Sequence, residues 1–68
     1  MTNQAKDVFE CIRKNPGIYI DGISEKTGWN RHIVEMSVKM MVGSGLIKET
    51  EKDEWGDFKY EALRNETI

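Results

Sequence analysis

Three clusters of chain-breaking residues, Asn15-Pro16-Gly17, Thr27-Gly28 and Gly43-Ser44-Gly45, cut the first two thirds of this sequence into short segments. Proline disfavours helical geometry in the residue before it, and glycine takes the positive-φ conformations that end helices and close turns. No segment between the breakers is long enough for more than a few helical turns. Helices this short are marginal in isolation, so the fold must gain its stability by packing apolar faces against one another.

The first segment carries Ala5, Val8, Phe9 and Ile12 at i, i+3, i+4 and i+7, the spacing of one buried helical face. Thr2 or Asn3 serves as its N-cap. Ile18, Tyr19 and Ile20 are β-branched or aromatic and predict a short extended bridge. A second helix is expected over roughly residues 20–27, with Ile20 and Ile23 on one side and Asp21 as N-cap or first-turn acid. Gly28 is its left-handed cap. Asn30 caps a third helix running to about Val42, in which Val34, Val38 and Met41 face the core. Residues 46–51 and 58–63 read as strands joined by a turn at 52–57, with Gly56 at positive φ. Residues 64–68 read as a frayed tail. The expected architecture is a mostly helical α+β fold in one domain over residues 1–68, three helices followed by a two-stranded hairpin. The hairpin is too small to stand alone and must pack on the helices. The predicted core is Val8, Ile12, Ile23, Val34, Val38, Met41 and Leu46.

Composition excludes several function classes. A chain of 68 residues buries only about 60% of its unfolded surface. Cys11 is the sole cysteine and His32 the sole histidine, so neither an internal disulfide nor a Cys/His zinc site staples the fold. Self-association, most simply as a homodimer, is the expected staple. No apolar run approaches the ~20 residues that cross a bilayer, and Met1-Thr2-Asn3-Gln4 lacks the pattern of a signal peptide. A soluble cytoplasmic protein without membrane contact is expected. One His, one Cys and no glycine-rich phosphate loop leave no nucleophile–base–orienter set, so no enzyme, cofactor or metal is expected. Cys11 reads as a half-buried small residue. Glu49, Glu51, Asp53, Glu54 and Asp57 read as a solvated face, because strand residues alternate sides and do not converge on a metal.

The net charge of −2 counts against nucleic-acid binding, but it is unevenly spread. Residues 1–47 hold six Lys/Arg against five Asp/Glu, a net of +1, and residues 48–68 hold four against seven, a net of −3.

Ile23, Ser24, Glu25, Lys26, Thr27 and Gly28, then Trp29, Asn30, Val34, Val38 and Met41, and finally Gly45, Leu46 and Ile47, form a recurrent pattern. Over these residues the chain resembles the helix-turn-helix and first wing strand of bacterial and archaeal winged-helix transcription regulators. The resemblance implies a winged helix-turn-helix fold whose third helix enters the major groove of DNA. It places Asn30, Arg31, His32, Glu35, Met36 and Lys39 on the reading face. Arg31 would pair with guanine, Asn30 and His32 would touch base or phosphate, and Lys39 would reach the backbone. It also assigns Trp29 to the junction of the three helices.

This chain departs from the family pattern in two places. Ile33, Met36 and Met40 are apolar where many members are polar, so they either broaden the core or form an exposed patch suited to a protein partner. The turn Lys52-Asp53-Glu54-Trp55-Gly56-Asp57 carries three acids against one lysine, with Lys59 following on the return strand, a poor match to phosphate. Trp55 is expected to pack back on Phe58; the alternative is an exposed anchor for a partner. Binders of Z-form nucleic acid pair a wing Trp with a Tyr on the third helix and with wing prolines, which this chain lacks. Two functions follow. One is a small regulator binding double-stranded DNA through the third helix. The other is a winged-helix protein-interaction module using Met36, Met40 and Trp55, with little DNA affinity.

Overall fold

The computed structural model describes residues 2–63. The elements follow the order α1 (Asn3–Lys14), β1 (Ile18–Tyr19), α2 (Ile20–Thr27), α3 (Arg31–Gly43), β2 (Ile47–Lys52) and β3 (Phe58–Ala62). The three strands form one antiparallel sheet in the order β1-β3-β2. This is the winged helix-turn-helix fold. The tail expected at residues 64–68 lies outside the described residues.

Local capping explains the helix boundaries. The Thr2 hydroxyl accepts from the Ala5 N–H at 3.1 Å, and the Asn30 side-chain carbonyl accepts from the Ile33 N–H at 2.9 Å. At the end of α1 the Asn15 backbone N–H donates to the Cys11 and Ile12 carbonyls. Tyr19 precedes α2 without a side-chain cap, so Asp21 lies in the first turn and is not the N-cap. Ser24 and Thr27 lock the turn between α2 and α3. The Ser24 hydroxyl donates to the Trp29 carbonyl at 2.7 Å, and the Thr27 hydroxyl donates to the Ile23 carbonyl while accepting from the Trp29 N–H. Gly28, at φ 81°, makes the bend that these two hydroxyls then hold.

The core contains Val8, Phe9, Ile12, Ile23, Val34, Val38 and Met41, all from helical faces, closed beneath by Ile47 and Tyr60 from the sheet. Leu46, expected in the core, is half-buried, and Ile47 takes its place at 1% exposure. The cause is strand register. α3 runs one residue past Val42 to Gly43, and the turn after it moves along with it, so β2 spans Ile47–Lys52 rather than 46–51. A one-residue shift moves every strand side chain to the other face. β3 likewise ends at Ala62, although the Leu63 N–H still donates to the Leu46 carbonyl at 2.9 Å. Cys11 is buried beyond the half-burial expected of it.

β1 is more than a bridge. Ile18 and Tyr19 pair with Tyr60 and Lys59 of β3, which ties the helical half to the hairpin. Trp29 covers the helix junction half-buried, and its indole N–H donates to Asp7 of α1 at 3.0 Å.

Candidate nucleic-acid interface

α3 turns Val34, Ser37, Val38 and Met41 inward. Its opposite side presents Arg31, His32, Glu35, Met36, Lys39 and Met40 to solvent. The helical repeat brings the expected reading residues onto one open face, with Asn30 capping its start. The Asn30 carbonyl oxygen is occupied by that cap.

Arg31 is the strongest base-contact candidate by chemistry, and it is already paired. Its Nε donates to Glu35 at 2.9 Å, and a terminal nitrogen lies 3.0 Å from an oxygen of Asp21 on α2. The hydrogen bond to Glu35, then the charge of Asp21, hold the guanidinium charged above its ordinary range. The Glu35 contact is legible as an i, i+4 pair. The Asp21 contact is not, because it joins two helices. Among the described residues neither His32 nor Lys39 forms an ion pair.

Two wing cations, Lys52 and Lys59, are engaged as well. Lys52 lies over the Phe58 ring at 5.6 Å from its centroid. Lys59 lies over the Tyr19 ring at 5.7 Å and 3.5 Å from Glu51. Neighbouring strand residues face opposite ways, so Lys59 points away from the side where Tyr60 meets α3. The structure therefore does not join Lys59 to the α3 face.

Asp53 organises the wing turn. One oxygen of its side chain accepts from both the Trp55 and Asp57 N–H groups at 2.9 Å. Its backbone N–H donates to the Asp57 carbonyl, and its carbonyl accepts from Gly56, which sits at φ 86° as expected. Asp53 is thus a turn-forming residue and not merely a solvated acid. Trp55 is 79% exposed, against the expectation that it would pack on Phe58. An irregularity between Glu49 and Lys52 adds one residue to β2 and brings Lys52 opposite Phe58. Lys52 covers the ring that Trp55 was expected to cover.

Met36 and Met40 are 60% and 52% exposed, while Ile33 is half-buried. They line a shallow recess with Ser37 and with Thr2 and Gln4 at the start of α1. On the other flank of α3, Glu35 and Lys39 face the wing residues Gly56, Asp57 and Phe58 across a groove of about 410 Å³. The methionines and the wing therefore belong to different flanks of α3, and Trp55 lines neither recess. Tyr60, buried at the back of this groove, was not singled out from sequence. Its alternation with Phe58 and Ala62 was the available signal.

Burial pushes the Cys11 thiol above its ordinary range, outweighing the opposing influences of Lys26 and Asn15. The thiolate is disfavoured, as suits a packing role. No helix among the described residues is long and apolar enough to cross a membrane.

No family model matches the sequence, and no curated protein matches it. Among solved structures the fold is similar to a MarR structure with a TM-score of 0.79, at 20% identity over 94% of this chain and 47% of that one. It is similar to the multiple antibiotic-resistance repressor MarR from Listeria monocytogenes 4b F2365 with a TM-score of 0.77, at 16% identity over 91% and 42% of the two chains. The transcriptional regulator SlyA matches with a TM-score of 0.75, at 20% identity over 91% and 44%. The chain thus spans less than half the length of each of these regulators. These likenesses establish the fold.

Proposed function

We propose that this chain is a small DNA-binding regulator that contacts duplex DNA through the N-terminal half of α3. The observation that carries this reading is the open α3 face. Arg31, His32, Glu35 and Lys39 lie together on solvent while the opposite face is the core. The repressor and regulator named among the structural neighbours supply the supporting analogy. In this reading Arg31 leaves Asp21 and Glu35 to meet a base edge, Asn30 and His32 contact phosphate or base near the helix start, and Lys39 reaches the backbone. Lys52 and Lys59 contribute little, since each is engaged within the wing. One winged-helix unit over residues 1–68 acts as a cytoplasmic homodimer on two half-sites.

The test is an anisotropy titration against mixed-sequence duplex DNA at two salt concentrations. Affinity should fall steeply with salt, and Arg31→Ala should weaken binding to the preferred site by about tenfold or more. Undiminished affinity in Arg31→Ala would remove α3 from the interface.

A second reading has its own observation. Trp55 stands exposed at the wing tip, and Met36 and Met40 are exposed on α3. Large exposed apolar side chains mark protein partners more often than DNA. If no duplex binds at low salt while Trp55→Ala disrupts a protein complex, the interaction-module reading stands.

A further inference from the structure

Glu35 of α3, Glu49 of β2 and Asp57 at the base of the wing turn meet around the groove between α3 and the wing. Among the described residues Lys39 is the one cation lining it, and Arg31 pairs with Glu35 from outside the lining, so the three carboxylates still leave the rim net negative. Beneath them lies an apolar floor that includes Val38, Val42 and Phe58. Tyr60 closes the back at 7% exposure; its hydroxyl has no hydrogen-bond partner among the described residues and, since none of their fully buried polar side-chain atoms lacks one, it reaches solvent at the groove. That hydroxyl's ionisation is suppressed first by burial and then by Glu49, Glu35 and Asp57. The fields of the three acids therefore overlap at the unpartnered hydroxyl. Glu49 stands directly opposite Tyr60 in the β2–β3 register, which fixes their proximity through the backbone.

A negative rim over an apolar floor repels phosphates and carboxylates and attracts a cation with an apolar body. The groove's 410 Å³ falls within the size of small-molecule sites. We propose that this groove binds a small amphipathic organic cation, an aromatic body carrying a protonated amine. The ring lies on Val38, Val42 and Phe58. The three N–H groups of the ammonium donate to Glu35, Glu49 and Asp57, and the Tyr60 hydroxyl lines the site beside it. An ammonium that engages Glu35 competes with Arg31 for the same carboxylate. If α3 reads DNA, the groove is an effector site beside the reading face; that consequence rests on the proposed function, whereas binding of the cation does not.

The experiment is an NMR titration of the isotope-labelled full chain with naphthylmethylamine at neutral pH. Naphthylmethanol and naphthylacetate are the neutral and anionic counterparts. The amine should give saturable shifts at Glu35, Val38, Lys39 and the backbone from Gly56 to Tyr60. The alcohol should bind about tenfold more weakly and the acetate not measurably, because charge-assisted contacts are lost. The double variant Glu35→Gln, Asp57→Asn should weaken the amine about tenfold while keeping its amide dispersion, at roughly two- to fivefold per exposed carboxylate. Equal binding of amine and alcohol, shifts confined to other surfaces, or undiminished binding by the folded double variant would each overturn the proposal. A duplex-DNA titration with and without the amine separates the two readings. Amine binding without DNA binding leaves the groove standing and removes the regulator; DNA binding without saturable groove shifts does the reverse.

Discussion

In the helical half, Val8, Ile12, Ile23 and Val34 are wholly removed from solvent, and the turn between α2 and α3 is tied by two hydroxyls to neighbouring backbone. In the wing, no residue from Lys48 to Asp57 is buried, and the turn is held by one carboxylate and its backbone partners. One region is stabilised by apolar burial, which is non-directional and scales with the area removed from water. The other depends on directional polar contacts at a solvent boundary, where each is worth less and each must be placed. The same division runs through the charges. The α3 face holds a guanidinium clamped by two acids, and the wing places Lys52 and Lys59 on aromatic rings.

The sharpest way to break the comparison is in the core. Ile23→Ala should cost about 2–5 kcal/mol in urea unfolding, from lost burial and the cavity left behind. A loss under about 1 kcal/mol would mean that the helical half is not organised by burial. Asp53→Ala should remove about 0.5–1.5 kcal/mol of local stability from the hairpin, because one carboxylate serves two N–H groups of the exposed turn. Hydrogen exchange should speed at Trp55 and Asp57 and stay unchanged at Val34 and Val38. Equal acceleration in both regions would show that wing and core melt as one unit.

Tyr60 joins the two regions and offers a pH test. Burial raises its phenol above the ordinary value of 10.0, so the folded state holds the proton more tightly than the unfolded state. Stability from this source is full below pH 10 and is lost as pH rises through the higher folded value. Urea midpoints measured from neutral to alkaline pH should fall in the parent chain and fall less in Tyr60→Phe. Identical alkaline slopes would exclude Tyr60 as the cause.

The clamp on Arg31 should matter to binding more than to folding. Asp21→Asn combined with Glu35→Gln should leave the thermal midpoint nearly unchanged, because the pair is exposed. The same change should tighten duplex DNA by about threefold or more as the guanidinium is released. Weaker DNA binding would show that the acids position Arg31 instead of restraining it. Trp55→Ala is the smallest expected effect. At 79% exposure the side chain contributes within about 0.5 kcal/mol, and a larger loss would mean that Trp55 packs in solution.

The sequence by itself determined the three helices, a first cap at Thr2 or Asn3 that the structure assigns to Thr2, the cap at Asn30, the bend at Gly28, the turn at Gly56 and six of the seven expected core residues. Each follows from local rules, since helical periodicity and capping act within a few residues and leave a repeating mark. The resemblance to winged-helix regulators placed Asn30, Arg31, His32, Glu35, Met36 and Lys39 together, and all six are exposed. Only tertiary structure decided the exchange of Leu46 for Ile47, the seat of Lys52 on Phe58, the exposure of Trp55 and the clamp of Asp21 on Arg31. These depend on strand register, on one extra residue in β2 and on the approach of two helices. Local sequence does not encode them, because a one-residue slip leaves every local preference satisfied while reversing which side chains face inward.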